Sequence, residues 1–165
     1  MRLIDKMTQM GHFSFKYRGQ IPLIIFILAI PIINSSNQMI KMSETSLLII
    51  KFIGVFVSFI GLLIRYFTVG TTPLNTSGKN RNHQIADELN TRGIYSMVRN
   101  PLYFANYIIW IGLGIYSTSY IFLIIQSLFF YIHYQKIILV EEQFLEKKYG
   151  KIYISYMKKT PIFLP

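Results

Sequence analysis

The sequence predicts an all-α integral membrane protein of about four transmembrane helices, and three observations carry that reading. Of its 165 residues 52% are hydrophobic and 15% charged, with a mean hydropathy of +0.39, too apolar for an ordinary soluble domain of this length. Several apolar runs approach the roughly 20 residues that a helix needs to cross about 30 Å of hydrocarbon without exposing backbone polar groups. The lysines and arginines fall in alternate segments, the distribution expected of a chain that weaves through a bilayer.

The first predicted span covers about residues 20–38. Its apolar centre, IPLIIFILAIPII from Ile21 to Ile33, is short and carries Pro22 and Pro31, so it borrows flanking residues or inserts as a kinked or re-entrant piece. The second, about 46–70, is the clearest: its two internal cations, Lys51 and Arg65, lie near opposite ends, where long side chains reach the headgroups. From Leu102 to Val140 the chain is almost continuously apolar, and at 39 residues it is too long for one crossing. The cluster Ser117, Thr118, Ser119 divides it into spans of about 101–117 and 119–140. Asn100-Pro101 opens the third span, with proline in the first turn, where its missing N–H removes no hydrogen bond, and asparagine placed as an N-cap.

Arg2, Lys6, Lys16 and Arg18 precede the first span; Lys79, Arg81, Arg92 and Arg99 separate the second from the third; Lys147, Lys148, Lys151, Lys158 and Lys159 follow the fourth. Both termini and the central loop are therefore expected in the cytoplasm, and the whole chain, 1–165, reads as one membrane unit. The first twenty residues do not read as a cleavable signal, because the apolar run comes late and no small-residue cleavage site follows it. The net charge of +10 is topological and suits anionic lipid headgroups. A nucleic-acid partner is not expected, since no basic soluble domain exists to bind one. Absence of cysteine excludes disulfides, thiolate metal sites and a cysteine nucleophile; no metal site is expected, and the oligomeric state stays open.

About half of the residues lie outside the apolar runs, and two polar segments there are unusually patterned. In TRGIYSMVRNPLYFANY, Thr91 to Tyr107, a glycine permits a tight turn, and Tyr95 and Tyr103 offer ring faces and hydroxyls. In VEEQFLEKKYGKIYISYMKKTPIFLP the carboxylates Glu141 and Glu142 stand where the fourth span leaves the membrane, a depth at which acidic groups are costly unless partnered. Taken alone, each has a bland account: a well-made helix start with Arg99 reaching phosphates, and a glutamate pair neutralised by Lys147, Lys148 or Arg99. Adjacent helical residues point about 100° apart, so at most one of the pair readily faces a pocket.

Together the two segments resemble the isoprenylcysteine carboxyl methyltransferase family and its phospholipid methyltransferase relatives, in the form of a short bacterial member. The pattern L-x-T-x-G-x-Y-x-x-x-R-[HN]-P-x-Y is met by Leu89, Thr91, Gly93, Tyr95, Arg99, Asn100, Pro101 and Tyr103. After a hairpin, E-E-x-x-L-x-x-x-[FY]-G-x-x-Y-x-x-Y and a final P-x-x-x-P are met by Glu141, Glu142, Leu145, Tyr149, Gly150, Tyr153, Tyr156, Pro161 and Pro165. The resemblance covers residues 80–165.

It implies an S-adenosylmethionine-dependent membrane methyltransferase, with a cytoplasmic cofactor pocket formed by the loop before the third span and the C-terminal segment. The cofactor-binding residues it implies are Asp87, Glu88, Leu89, Asn90, Tyr95, Asn100, Tyr103 and Glu141. Carboxylates and amides suit an ammonium and ribose hydroxyls, and π faces suit a sulfonium. Arg99, Glu142 and Lys136 are the catalytic candidates, Arg99 as the group that orients an anionic acceptor and Lys136 as a second cation. His133 is a weaker candidate for accepting a proton, since a lone histidine in such a helix is more often packed. Gly112 and Gly114 read as helix-packing positions. Asn100 replaces the histidine usual in eukaryotic members, which leaves the acceptor open; a lipid-like or small amphiphilic molecule entering from the bilayer of a bacterial inner membrane is expected. Two other classes compete. NPLYFANYIIWIG also resembles a stretch of membrane sterol reductases that bind NADPH, but EEQFLEKKYG stands where those carry His-x-Trp-Tyr. A non-catalytic membrane protein is the remaining alternative, although a transporter would more naturally carry an ionisable residue mid-membrane.

Overall fold

The computed structural model describes residues 2–39, 42–72 and 86–163, so Lys79, Arg81 and Pro165 lie outside the described residues. All regular structure among the described residues is helical: α1 (Leu3–Lys16), α2 (Gln20–Leu28), α3 (Ile30–Met39), α4 (Glu44–Thr71), a 3-10 turn (Gly93–Ser96), α5 (Pro101–Tyr116), α6 (Tyr120–Tyr149) and α7 (Lys151–Lys159).

Local chemistry sets these boundaries. Ser43 caps α4 by accepting the Ser46 N–H at 3.2 Å, with Glu44 in the first turn, where a negative charge suits the helix dipole. Pro101 is the first residue of α5. Thr118 turns the chain between α5 and α6 with φ at 58°, and Ser119 caps α6 by accepting from Phe122 N at 3.2 Å. Gly150, with φ at 53°, separates α6 from α7 in a left-handed conformation that glycine adopts without a Cβ penalty. Pro31 supplies no N–H to the preceding turn, and the first apolar segment breaks at Ala29, between α2 and α3.

Helices α4 and α6, of 28 and 30 residues, are long and apolar enough to cross a membrane. A third candidate exists only if Leu3–Lys16 and Gln20–Ser35, bent by 86°, count as one broken span. Helix α1 extends N-terminally beyond the segment expected to span. Helix α5, expected as a crossing, has 16 residues and reaches about 24 Å, short of the hydrocarbon thickness. Helix α6 continues nine residues past the expected end at 140, because its polar last turns contain no breaker before Gly150.

Helices α4 and α5 run antiparallel along a seam of small residues. A Cβ on Gly54 would lie 2.6 Å from Tyr116 N and 2.7 Å from Gly112 O; on Gly61 it would lie 2.8 Å from Ile109 N and 2.9 Å from Ala105 O. Ser58 Oγ donates to Ile109 O at 3.1 Å within the same seam. Without a hydrophobic drive between helices in lipid, such close backbone contact and interhelical hydrogen bonds supply the association. Gly112 faces Gly54 and Ser58, while Gly114 faces Gln126 and Leu123, so both act as the packing positions expected. Gln126 Nε2 donates to Trp110 O at 2.8 Å, joining α6 to α5. Below that contact Phe15, Tyr103, Trp110, Phe130, Tyr134, Ile137 and Ile138 form the core. Helix α1 crosses α6 at Gly11, which sits against Lys136 O and the Val140 side chain, and Thr8 Oγ1 bonds Gln143 Oε1 at 3.3 Å.

The seam predicts an ordered set of stabilities. Gly54→Leu overpacks backbone against backbone, beyond the usual cost of about 1–3 kcal/mol, and the detergent-solubilised variant should unfold well below the wild type. Gly70→Ala, whose Cβ meets nothing within 4 Å, should match or slightly exceed it in the same melts.

Candidate functional site

Helix α6 is about 45 Å long at 1.5 Å per residue, so its last third extends beyond a 30 Å hydrocarbon layer. Glu141 and Glu142 open that third. Two tyrosines farther on tie down the segment that precedes α5: Tyr149 donates to Ala86 O and Tyr156 donates to Tyr95 O at 2.6 Å. The i, i+3 spacing of Tyr153 and Tyr156 puts both on one face of α7, and Tyr153 is almost fully buried. The loop from residue 86, the start of α5, the end of α6 and α7 thus enclose one polar site.

Two adjoining hollows of about 30 Å³ each lie there, with Tyr95, Arg99, Asn100 and Glu141 common to both. Leu89, Asn90, Glu142, Leu145, Tyr153 and Tyr156 complete one, and Tyr103 helps line the other. Asn100 occupies the N-cap position of α5 but makes no capping bond, and its Nδ2 is buried without a hydrogen bond. The Tyr103 hydroxyl approaches Glu141 without making a hydrogen bond of normal geometry, so Tyr103 Oη and Glu141 Oε1 are also unpartnered. Three buried polar atoms without partners in one small volume form a donor and acceptor set suited to a polar ligand, since leaving such groups unmade is costly.

Both carboxylates reach the site. Glu142 pairs with Arg99 at 2.8 Å, their side chains 24% and 11% exposed, while Lys147 and Lys148 stay exposed. Burial pushes the Glu141 carboxyl up to about 7, Arg18 and Tyr103 pulling it back and the neighbouring Glu142 charge adding to the rise. The Glu142 carboxyl is raised by burial and lowered by Arg99. Burial likewise pushes the Tyr95 hydroxyl up to about 12, with Thr72 opposing. Arg18, two residues past the end of α1, lies with its guanidinium 4.3 Å from the centre of the Phe15 ring. Its influence on Glu141 had no motif to announce it, because in the sequence it is one basic residue among several.

The expected residues divide into two groups. Leu89, Asn90, Tyr95, Arg99, Asn100, Tyr103, Glu141 and Glu142 line the hollows. Asp87 and Glu88 are exposed beside them, and their charges add to the rise that burial gives the Tyr149 hydroxyl. Lys136 lines neither hollow and its carbonyl lies under Gly11. His133 is buried and stacks on Phe129 at 5.3 Å. A separate apolar cavity of about 230 Å³ lies between α5 and α6, lined by Phe104, Tyr107, Ser127, Phe130, Tyr131, Tyr134 and Phe163. Tyr103 and Tyr134, with ring centres 4.9 Å apart, stand between it and the polar hollows.

A family model described as phospholipid methyltransferase matches residues 45–152, which takes in α4, α5 and α6 and extends the resemblance carried by the two motifs towards the N-terminus. Two curated relatives are a nickel-cobalt-cadmium resistance protein of Alcaligenes xylosoxydans xylosoxydans and a cobalt-zinc-cadmium resistance protein of Cupriavidus metallidurans. The first is 36% identical over 78 residues, 47% of this chain and 36% of the relative. The second is 32% identical over 92 residues, 56% of this chain and 40% of the relative. The matched chain thus spans less than half the length of either.

The Arg99–Glu142 pair is testable by a double-mutant cycle. Arg99→Met and Glu142→Leu should each destabilise, because each strands a partly buried charge, whereas the double variant should lose less than the sum. The expected coupling in thermal or denaturant unfolding is about 1–3 kcal/mol.

Proposed function

The chain belongs to the phospholipid methyltransferase family, and from that premise we propose that it is an S-adenosylmethionine-dependent methyltransferase of a bacterial inner membrane, acting on a lipid-like or small amphiphilic acceptor. The observation that carries the reading is the convergence of unpartnered Glu141, Asn100 and Tyr103 polar atoms beside an apolar cavity. Polar recognition and a hydrocarbon-lined space meet there, as a methyl donor and an amphiphilic acceptor require.

Glu141 holds the cofactor's ammonium, Asn100 and Asn90 bind its hydroxyls or carboxylate, and Leu89, Tyr95 and Tyr103 offer apolar and π faces to the adenine and sulfonium. Asp87 and Glu88 supply negative charge at the rim. The bound cofactor supplies an electrophilic methyl group. The protein's own contribution is alignment and exclusion of water: Arg99 orients an anionic group of the acceptor, Glu142 fixes Arg99, and Lys136 is a more distant second cation. Each hollow is the size of one or two waters, so admission of a nucleoside requires the segment ahead of α5 to move relative to α6 and α7. In this reading α5, packed antiparallel on α4, completes a four-crossing arrangement within a single domain, and both termini and the polar site lie in the cytoplasm, where the basic segments favour them. The metal-resistance names belong to the relatives and do not set the acceptor.

Calorimetric titration of the purified protein with S-adenosylmethionine, S-adenosylhomocysteine and NADPH tests the proposal. Saturable binding of the first two, weakened at least tenfold in Glu141→Gln, is expected. Binding of NADPH alone would put a reductase in its place, and silence from all three would favour a non-catalytic protein.

The raised Glu141 carboxyl gives the titration a pH signature. Only the ionised form pairs with an ammonium, and in the free protein it is half-formed near pH 7. Affinity should therefore rise with pH up to about 7 and level off above it, falling roughly tenfold per unit below. Binding near pH 7 should release protons, seen as heats that differ between buffers of different ionisation enthalpy. A flat profile from pH 5.5 to 8 would remove Glu141 from the ammonium site.

A further inference from the structure

One part of the apolar cavity's wall is supplied by neither α5 nor α6. After α7 the chain buries Thr160 and runs beside the turn that opens α5. Arg99 N–H donates to Pro161 O at 2.9 Å, and Asn100 N–H donates to Ile162 O at 3.3 Å. The next residue, Phe163, turns its ring onto the core cluster and into the apolar cavity. Every other described lining residue of that cavity comes from α5 or α6.

The cavity wall has little to offer a polar ligand. Ser127 Oγ donates to its own helix at Leu123 O, 2.8 Å away, and the Tyr134 hydroxyl accepts from Asn106 Nδ2 at 3.4 Å. Apart from the hydroxyls of Tyr107 and Tyr131, the rest of the lining is aromatic surface, which suits hydrocarbon. Because Phe163 directly follows the residue tied to Asn100, the tie that holds the α5 turn also fixes where its backbone meets the cavity.

We propose that Phe163 is a specificity-determining residue, whose ring limits how long a hydrocarbon chain the cavity accepts while the preceding carbonyls hold the Arg99–Asn100 turn. This rests on the reading of the polar hollows as the methyl-transfer site. Replacing the ring should change chain-length preference and leave the polar site intact, since the ties are made by backbone atoms of other residues. Removing the tail should affect both.

The single tryptophan of the sequence provides the readout, because Trp110 lies 5.2 Å from Phe130, ring centre to ring centre, and Phe130 lines the cavity. The probes are octanoate, laurate and palmitate brominated on the chain, which quench indole fluorescence on contact. They are titrated into amphipol-held protein saturated with S-adenosylhomocysteine. Wild type should show saturable quenching by octanoate and much weaker quenching by palmitate. Phe163→Ala, and to a smaller degree Phe163→Leu, should lower the palmitate midpoint at least tenfold, with calorimetric S-adenosylhomocysteine affinity within twofold of wild type. Phe52→Ala, on the exposed outer face of α4, should leave the chain-length profile unchanged. A chain ending at Thr160 should show both the altered profile and weakened S-adenosylhomocysteine binding. Identical profiles for wild type and both Phe163 variants would overturn the role of Phe163, and so would an equal change in Phe52→Ala. Failure of wild type to bind S-adenosylhomocysteine is read separately by calorimetry and would overturn the methyltransferase reading itself.

Discussion

Two adjacent carboxylates at the point where an apolar helix emerges from hydrocarbon have to be compensated, and the C-terminal half of the chain is arranged around that requirement. A buried carboxylate without partners would neutralise or unfold its surroundings. Glu142 is compensated within the fold by Arg99 at 2.8 Å. Glu141 is compensated only in part, by Arg18 at a distance and the approach of Tyr103, and this leaves its Oε1 without a hydrogen bond. Tyr149 and Tyr156 fasten the segment ahead of α5 over the pair, and the tail carbonyls fasten the Arg99–Asn100 turn from the other side. The site is thus a cover for charge, held by backbone carbonyls that accept from tyrosines and amides, with one carboxylate oxygen left for a ligand in the proposed function.

The remainder of the fold gives that cover a fixed frame. Glycines at 54, 61 and 112 bring α4 and α5 into backbone contact. Arg65 Nη1 then reaches Asn106 Oδ1 at 2.7 Å, and Asn106 Nδ2 reaches the Tyr134 hydroxyl at 3.4 Å. This chain of contacts links α4, α5 and α6 beside the apolar cavity, which Tyr134 lines. A larger residue in the glycine seam would displace α5, and with it Asn100 and Tyr103, so a packing feature remote from the site sets its geometry.

Much of this was legible in the sequence where the signal is local. The run around residues 46–70 became α4 at Glu44–Thr71, because a mostly apolar stretch of that length, with its cations near the ends, has no alternative to a hydrogen-bonded helix in lipid. Ser117 to Ser119 marked the α5–α6 turn through a cap and a left-handed threonine. Pro31 predicted the break in the first segment. Three features were less accessible. The continuation of α6 to Tyr149 was masked by the loss of apolarity after Val140, although helix continuation needs only the absence of a breaker. Helix α1 was legible as charge and not as structure, since it is held by a close crossing at Gly11 that depends on α6. Arg18 and Phe163 belong to no shared pattern and acquire neighbours only when distant segments meet.

What the sequence determined by itself is the class of the molecule: helical, with apolar segments fit to cross a membrane, as hydropathy and charge placement dictate, and with two polar segments whose resemblance to a methyltransferase family the family match bears out. What the tertiary structure decided is the allocation of partners. Either glutamate had the sequence credentials to pair with Arg99, and the asparagine before Pro101 had those of a cap. Packing gave Arg99 to Glu142 and left Asn100 and Glu141 facing the hollows. The physical reason is that electrostatic and hydrogen-bond energies depend on distance and burial in three dimensions, and those are set only when α5, α6, α7 and the tail close on one another.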